Sequence, residues 1–255
     1  QSPAPMVFLV KNQIGYQNLL KLISYAYLEN VDPNVPQVPI GLLEDLNEGL
    51  IALSGGPDGP LGQLIINEQR DFAKNLLKRL MSIFSDNLYM EILRHGLNKE
   101  NITEESFLRF AYDFNIPLVA TNEAYFVNRD MYEAHDALIC IEEKTYVSQT
   151  SRRRETPEHY FKNASEMNKL FNDLPEAIQN TITVAKRCAF LINTIPPILP
   201  PFDCGDNRTE QDELKELAKN GLDGRLKVKT INEQFTPEQL KKIQLPYETR
   251  LNFEL

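Results

Sequence analysis

Cysteine is scarce. Among 255 residues there are three, Cys140, Cys188 and Cys204, far apart, odd in number and never spaced as CxxC. That excludes a zinc knuckle and a disulfide framework, and predicts reduced, mostly buried thiols. Long apolar runs are missing as well. No stretch approaches the roughly 18 to 20 consecutive apolar residues of a bilayer span, and no charged start followed by an apolar core marks a signal peptide. These absences predict a soluble, cytoplasmic protein without a membrane partner. Positive charge is in deficit, with 27 Lys and Arg against 36 Asp and Glu for a net charge of −9. Such a balance repels phosphate backbones unless the basic residues cluster, so autonomous nucleic-acid binding is disfavoured. Nucleotide cradles are lacking too: SGGPDGPLG (residues 54–62) has neither the GK[ST] ending of a P-loop nor GxGxxG, and reads as a flexible surface loop. The glycosylation triplets at Asn101, Asn163 and Asn207 carry no weight in a cytosolic chain. There is no internal repeat and no low-complexity tract.

What is present is the composition of a globular domain, 42% apolar and 25% charged, in a length that suits one large domain or two small ones. MVFLV (residues 6–10) is a continuous apolar run suited to a strand buried on both faces. Leu19, Leu20, Ile23 and Tyr27 then fall at helical spacing, a stripe expected to pack back onto that strand. The pattern recurs. GLIALSGG (residues 49–56) reads as strand and tight turn, followed by a helix with Phe72, Leu76, Leu77, Leu80 and Ile83 on one face. LYMEILR (residues 88–94) is a third strand, and a helix opened by a Thr103 cap with Glu104 and Glu105 in its first turn should follow. PLVATN (residues 117–122) is a fourth strand and residues 130–142 a further helix. Thr156-Pro157 and Asp173-Leu174-Pro175 each predict a proline-initiated helix. Strands alternating with helices imply an α/β fold with a parallel sheet, open or closed into a barrel. IPPILPPF (residues 195–202) cannot continue a helix and marks a domain edge. Beyond it the text is polar and helical, with a capping box at Thr236–Gln239. The chain starts at Gln1 and stops in a helix-like run, as expected of a piece of something longer.

Several strings carry a resemblance by their order and spacing: KNQIGYQNLLKLIS (residues 11–24), LNEGLIALSGG (46–56), YMEILRHG (89–96), VATNEAYFVNRDMYEAHDAL (119–138) and LFNDLPEAIQNTITVAKRC (170–188). Together with ILPPF and the stretch from LAKNGLDGRL to YETRLNFEL, they resemble the N-terminal PHP (polymerase and histidinol phosphatase) domain of the bacterial DNA polymerase III alpha subunit. The resemblance covers essentially the whole chain. It implies a distorted (β/α)7 barrel, here partial because the first strands with their His-x-His pair are lacking. On that basis residues 1–200 are expected to be a truncated PHP domain, and residues 201–255 a linker and the mostly helical beginning of the polymerase palm and thumb region.

Metal-keeping relatives hold divalent ions at the C-terminal ends of the strands, which takes several imidazoles and ionised carboxylates converging on the cations. The resemblance places such ligands at positions that read Pro5, Gly56, and Glu123 with Tyr125 in this sequence. Proline and glycine offer no side-chain donor, and a phenol with pKa near 10 is a poor ligand for zinc or magnesium. Only Glu123 remains of that set, so no metal and no catalytic residue are expected in this half of the site. Weaker candidates are His95, at the end of a strand, and Glu91, which alternates with apolar neighbours and would be buried in a salt bridge with Arg94 or a missing strand. His135 is expected to pack or cap locally on its helix, and His159 to be exposed and incidental. Arg152, Arg153 and Arg154 form a short basic run that reads as a possible DNA or partner contact.

The resemblance thus implies part of a polymerising subunit, a DNA-directed DNA polymerase and nucleotidyltransferase that uses magnesium elsewhere in its chain. This portion would be a metal-poor scaffold docking the proofreading exonuclease (epsilon) subunit, beside other replicase subunits, with DNA held through the parent protein. The competing expectation is an active phosphoesterase or 3'-5' exonuclease, with zinc or manganese bound through ligands outside this sequence.

Overall fold

The computed structural model describes residues 3–29, 35–205, 208–230 and 235–255. Two compact units emerge, residues 1–192 and 193–255. In the first, β1 (Val7–Val10) leads to α1 (Gln13–Ser24), which is capped by the Asn12 side chain accepting from Gly15 N–H at 3.0 Å. A π-helical turn (Tyr25–Glu29) and α2 (Ile40–Asp45) precede β2 (Leu50–Leu53), followed by α3 (Pro60–Ile66) and α4 (Arg70–Phe84). Next come β3 (Leu88–Ile92), α5 (Asn98–Phe114), β4 (Leu118–Ala120), α6 (Tyr132–Glu143), α7 (Ala164–Leu170) and α8 (Pro175–Arg187).

The strands form one sheet in the order β1-β2-β3-β4, with β2, β3 and β4 parallel. β1 departs from the parallel expectation. It pairs with β2 antiparallel, Val7 opposite Leu53 and Val10 opposite Leu50. The cause is local. Lys11 N–H donates to the Gly49 carbonyl at 2.9 Å, and Gly15 lies so close to Gly49 that a Cβ on it would sit 1.9 Å from the Gly49 oxygen. Gly49 itself has a φ of +76°. The start of α1 therefore seats on the turn into β2, and the chain leaves β1 at the end where β2 begins.

Alternate strand residues separate into two layers, as the pleat requires. Leu50, Ala52, Leu88, Met90, Ile92, Leu118 and Ala120 meet α3, α4 and α5, while Ile51, Leu53, Tyr89 and Val119 pack with Val184 of α8. α8 also guards β4, the edge of the sheet, through Asn180 Nδ2 donating to the Leu118 carbonyl at 2.8 Å.

Several local expectations are corrected. The buried stripe of α1 is Gly15, Asn18 and Leu22, continued by Ala26, whereas Leu20, Ile23 and Tyr27 are exposed; the seat on Gly49 rotates the helix away from its most apolar face. On α4, Phe72 is exposed and Ala73 takes its place in the core. The segment read as a flexible loop is a packed turn: Gly56 and Pro57 are buried and Pro60 starts α3. α5 begins at Asn98, so Thr103 lies inside it, its hydroxyl donating to the Lys99 carbonyl at 2.9 Å, and Glu100 is the acid of the first turn. Thr156-Pro157 opens a turn instead of a helix: the Thr156 hydroxyl donates to the His95 carbonyl at 2.6 Å and accepts from Glu158 N–H at 3.2 Å, and His159 N–H closes the turn on the Thr156 carbonyl at 3.2 Å. Of the cysteines only Cys140 is buried, and all three are free.

The second unit holds α9 (Glu210–Thr230) and α10 (Pro237–Glu254). The capping box stands: Thr236 N–H donates to Gln239 Oε1 at 2.9 Å, and Gln239 N–H to the Thr236 hydroxyl at 3.4 Å. No helix among the described residues is long and apolar enough to cross a membrane.

Candidate functional site

The C-terminal ends of β2, β3 and β4 converge on Glu91. Its side chain is buried and makes no salt bridge among the described residues, because Arg94 turns outward to Glu104 (2.5 Å) and Asp173 (2.7 Å) and stacks over Phe171. The expected Glu91 pairing with Arg94 is therefore wrong. Instead Glu91 accepts from the Thr121 hydroxyl at 2.7 Å and from Gly55 N–H at 3.1 Å, while its own N–H donates to Ser54 Oγ at 3.0 Å. Burial pushes its carboxyl above the usual range, and the two donors only partly offset that. A raised acid stabilises the fold more as the pH drops toward its folded pKa. Glu91→Gln should therefore lose ground to the wild-type chain as the pH falls from about 8 to about 5. Paired melting curves across that range check this, and a pH-independent difference would contradict it.

His95 follows β3 and is 2% exposed. The Glu100 carboxylate accepts from His95 Nδ1 at 2.9 Å, from His95 N–H at 2.7 Å and from Leu97 N–H at 3.0 Å. Burial opposes ionisation of Glu100, but these donors outweigh it and hold the carboxyl below its ordinary range. With Nδ1 donating, Nε2 is left as an acceptor, and Glu123 N–H donates to it at 3.2 Å. The Glu123 carboxylate accepts from the Tyr125 hydroxyl at 2.6 Å. Burial, then this bond, pushes the phenol well above its usual range. Asn122 donates to the Tyr160 carbonyl at 2.9 Å and accepts from the buried Lys162 ammonium at 3.4 Å.

All three histidines meet here. His95 stacks on His159 with centroids 4.1 Å apart, Tyr125 lies 5.2 Å from His159, and His135 lies 5.4 Å from Tyr125. His159 is 1% exposed, contrary to the expectation that it faces water, because Thr156 and the neighbouring rings enclose it. Burial, then His95, lowers its pKa. His135 sits on α6, as its helical setting predicts. The basic run is divided: Arg152 is buried in a fork on Asp136, at 2.5 and 2.6 Å, and only Arg153 and Arg154 reach the surface.

Two of the four positions where the resemblance leads one to expect ligands are structural. The Pro5 carbonyl abuts Gly55, and a Cβ on Gly56, whose φ is +57°, would lie 2.3 Å from the Leu93 side chain. Among the described residues, no group of three or more His, Cys, Asp or Glu side chains is placed to share a metal ion. Thr121, Glu100, Asn122 and Lys162 escaped the sequence reading. Thr121 was open to it, as the residue after a fourth strand aligned with the third. The others are brought in by turns whose geometry the sequence pattern does not encode.

Residues 1–95 match the PHP domain family. Along nearly its whole length the chain is similar to proteins named DNA polymerase III subunit alpha: 44% identical over 250 residues in Caulobacter vibrioides, 36% over 252 in Rickettsia bellii and 34% over 256 in Vibrio cholerae, in each case 98 or 99% of this chain. The chain belongs to that alpha-subunit family. It spans about a fifth (21%) of the length of these relatives. The PHP match covers β1, β2, β3, Glu91 and His95, while β4 and the rest of the polar cluster follow it in the chain.

Proposed function

We propose that this chain is a metal-poor PHP scaffold within the polymerising subunit of a bacterial replicase, a DNA-directed DNA polymerase whose magnesium is held elsewhere in the parent chain. On this reading the four-stranded sheet is part of a PHP-type (β/α)7 barrel, residues 1–200 form the PHP portion, and residues 201–255 lead into the polymerase region. The barrel docks the proofreading exonuclease subunit, and DNA is held through the parent protein.

One observation carries the reading: the donor atoms of Glu91, His95 and Glu123 at the strand ends answer other groups, and although His135 Nδ1 and His159 Nε2 are buried without a hydrogen-bond partner, no three His, Cys, Asp or Glu side chains among the described residues are placed to share an ion. Glu91 answers Thr121 and Gly55, both nitrogens of His95 are used, Glu123 holds Tyr125, and Pro5 and Gly56 offer no side-chain donor. A hydrolytic metal centre requires ligand lone pairs aimed at a common point and an open position for water. A neutral phenol bonded to the remaining carboxylate provides neither.

The test is primer processing by the full-length subunit without its exonuclease partner. It is expected to extend a primer but to leave a 3' mismatch in place with magnesium, manganese or zinc, and to bind the purified exonuclease. Metal-dependent mismatch removal that is lost in Glu123→Gln would establish the active phosphoesterase instead. Failure to bind the exonuclease would remove the docking role.

A further inference from the structure

At the opposite end of the sheet, where β1 ends and β3 begins, two cations are brought onto one neutral oxygen. Lys11 Nζ donates to Asn87 Oδ1 at 2.9 Å across 76 residues of sequence, and Arg187 Nη2 donates to the same oxygen across 100. Arg187 is fixed further by the Asp86 carbonyl and the Tyr89 hydroxyl, both at 2.9 Å, beside the Tyr89 ring. Among the described residues neither cation forms an ion pair with a carboxylate. Asp86 lies in the same turn, but its carboxylate accepts from the Ser85 hydroxyl at 2.7 Å. Lys11 and Arg187 are both partly buried, so water screens them less than it would on an open surface.

Two like charges on a single amide oxygen repel each other, and the neutral acceptor does not offset them. The exposed Asp86 carboxylate, held below its ordinary range by the Ser85 hydroxyl first and by Arg187 and Lys11 as well, offsets them only in part and without touching either. The cost falls when an anion with several oxygens shares their remaining N–H donors. The planar guanidinium and the adjacent ammonium match a tetrahedral oxyanion, the first as a fork and the second as a point charge. In a chain of net charge −9, such a focus is a local exception to the overall field. Nothing in the polar cluster at the other end of the sheet takes part.

We propose that Lys11 and Arg187 form a phosphate-binding site at this end of the sheet, with Asn87 as the neutral post that holds both cations in position. The phosphate comes from a nucleic-acid backbone or from a nucleotide. Only that choice rests on the polymerase reading; the site itself does not.

The test uses the full-length subunit and hydrogen–deuterium exchange of the peptides around Lys11 and Arg187, with inorganic phosphate compared against chloride at equal ionic strength. Protection by phosphate is expected, and it should vanish in Lys11→Gln with Arg187→Gln. Asn87→Asp is the decisive variant. It places a carboxylate between the cations, so it should hold or raise the melting temperature while abolishing phosphate protection. A merely structural cluster would show no phosphate protection in any variant, and that result overturns the proposal. Binding of a short single-stranded oligonucleotide then identifies the source. If the backbone is the ligand, the slope of log K against log salt should fall by roughly 0.7 for each cation removed. An unchanged slope with phosphate protection intact assigns the site to a nucleotide.

Discussion

Replacing Glu100 with alanine is expected to destabilise the first unit by about 3 kcal/mol, which lies at the upper end for a buried carboxylate with several donors. The side chain is 4% exposed and serves His95 N–H, His95 Nδ1 and Leu97 N–H at once. Alanine leaves all three without an acceptor where water does not reach. Because the carboxyl is held below its ordinary range in the fold, its contribution is present at neutral pH and is lost as the pH falls through the folded pKa. The gap between wild type and Glu100→Ala should therefore narrow in acid. Urea melts at neutral and acid pH measure both the size and the trend. A loss below about 1 kcal/mol, the ordinary contribution of one hydrogen bond, would mean that the turn finds other partners.

The second large effect is expected at Gly15. A methyl group there would meet the Gly49 oxygen at 1.9 Å and the Gly49 carbonyl carbon at 2.4 Å, backbone atoms that cannot swing aside. Gly15→Ala must lift α1 off the turn into β2, and should cost about 3 kcal/mol through overpacking. For a unit of this size that corresponds to a melting temperature lower by about 6 to 12 °C. Gly41, inside α2, is the internal control, since nothing lies within 4 Å of a Cβ added there. Gly41→Ala should be stabilising by about 0.5 to 1 kcal/mol through helix propensity alone. Equal effects at the two glycines in calorimetry would show that the seat of α1 on Gly49 is not what sets the hand of the β1–β2 pairing.

These residues also mark where sequence reading reaches and where it stops. The strands at residues 7–10, 50–53, 88–92 and 118–120 were legible because continuous apolar runs admit little else at that length. α4, α8 and α10 were legible from periodicity and proline or capping signals. The direction of β1 was not, because it depends on the contact between Gly15 and Gly49, 34 positions apart, to which no periodicity refers. The phase of α1 was missed for the same reason. At the candidate site, Glu91 and His95 could be singled out as a polar side chain in an apolar strand and a histidine at its end. Their partners could not. Glu100, Thr121 and the stacked His159 are joined by turns, and a sequence pattern carries no distance between turns. His159 looked exposed because its neighbours are polar, yet those polar neighbours are what enclose it.

Whether cations bind at the ends of β2, β3 and β4 separates a scaffold from a hydrolase. Elemental analysis of the full-length subunit, purified without chelators, counts zinc and manganese per chain directly. The self-satisfied cluster of Glu91, His95, Glu123 and Tyr125 predicts fewer than one such ion per chain, unchanged by Glu91→Gln or Glu123→Gln. Two or more ions per chain, lost on those substitutions, would contradict it.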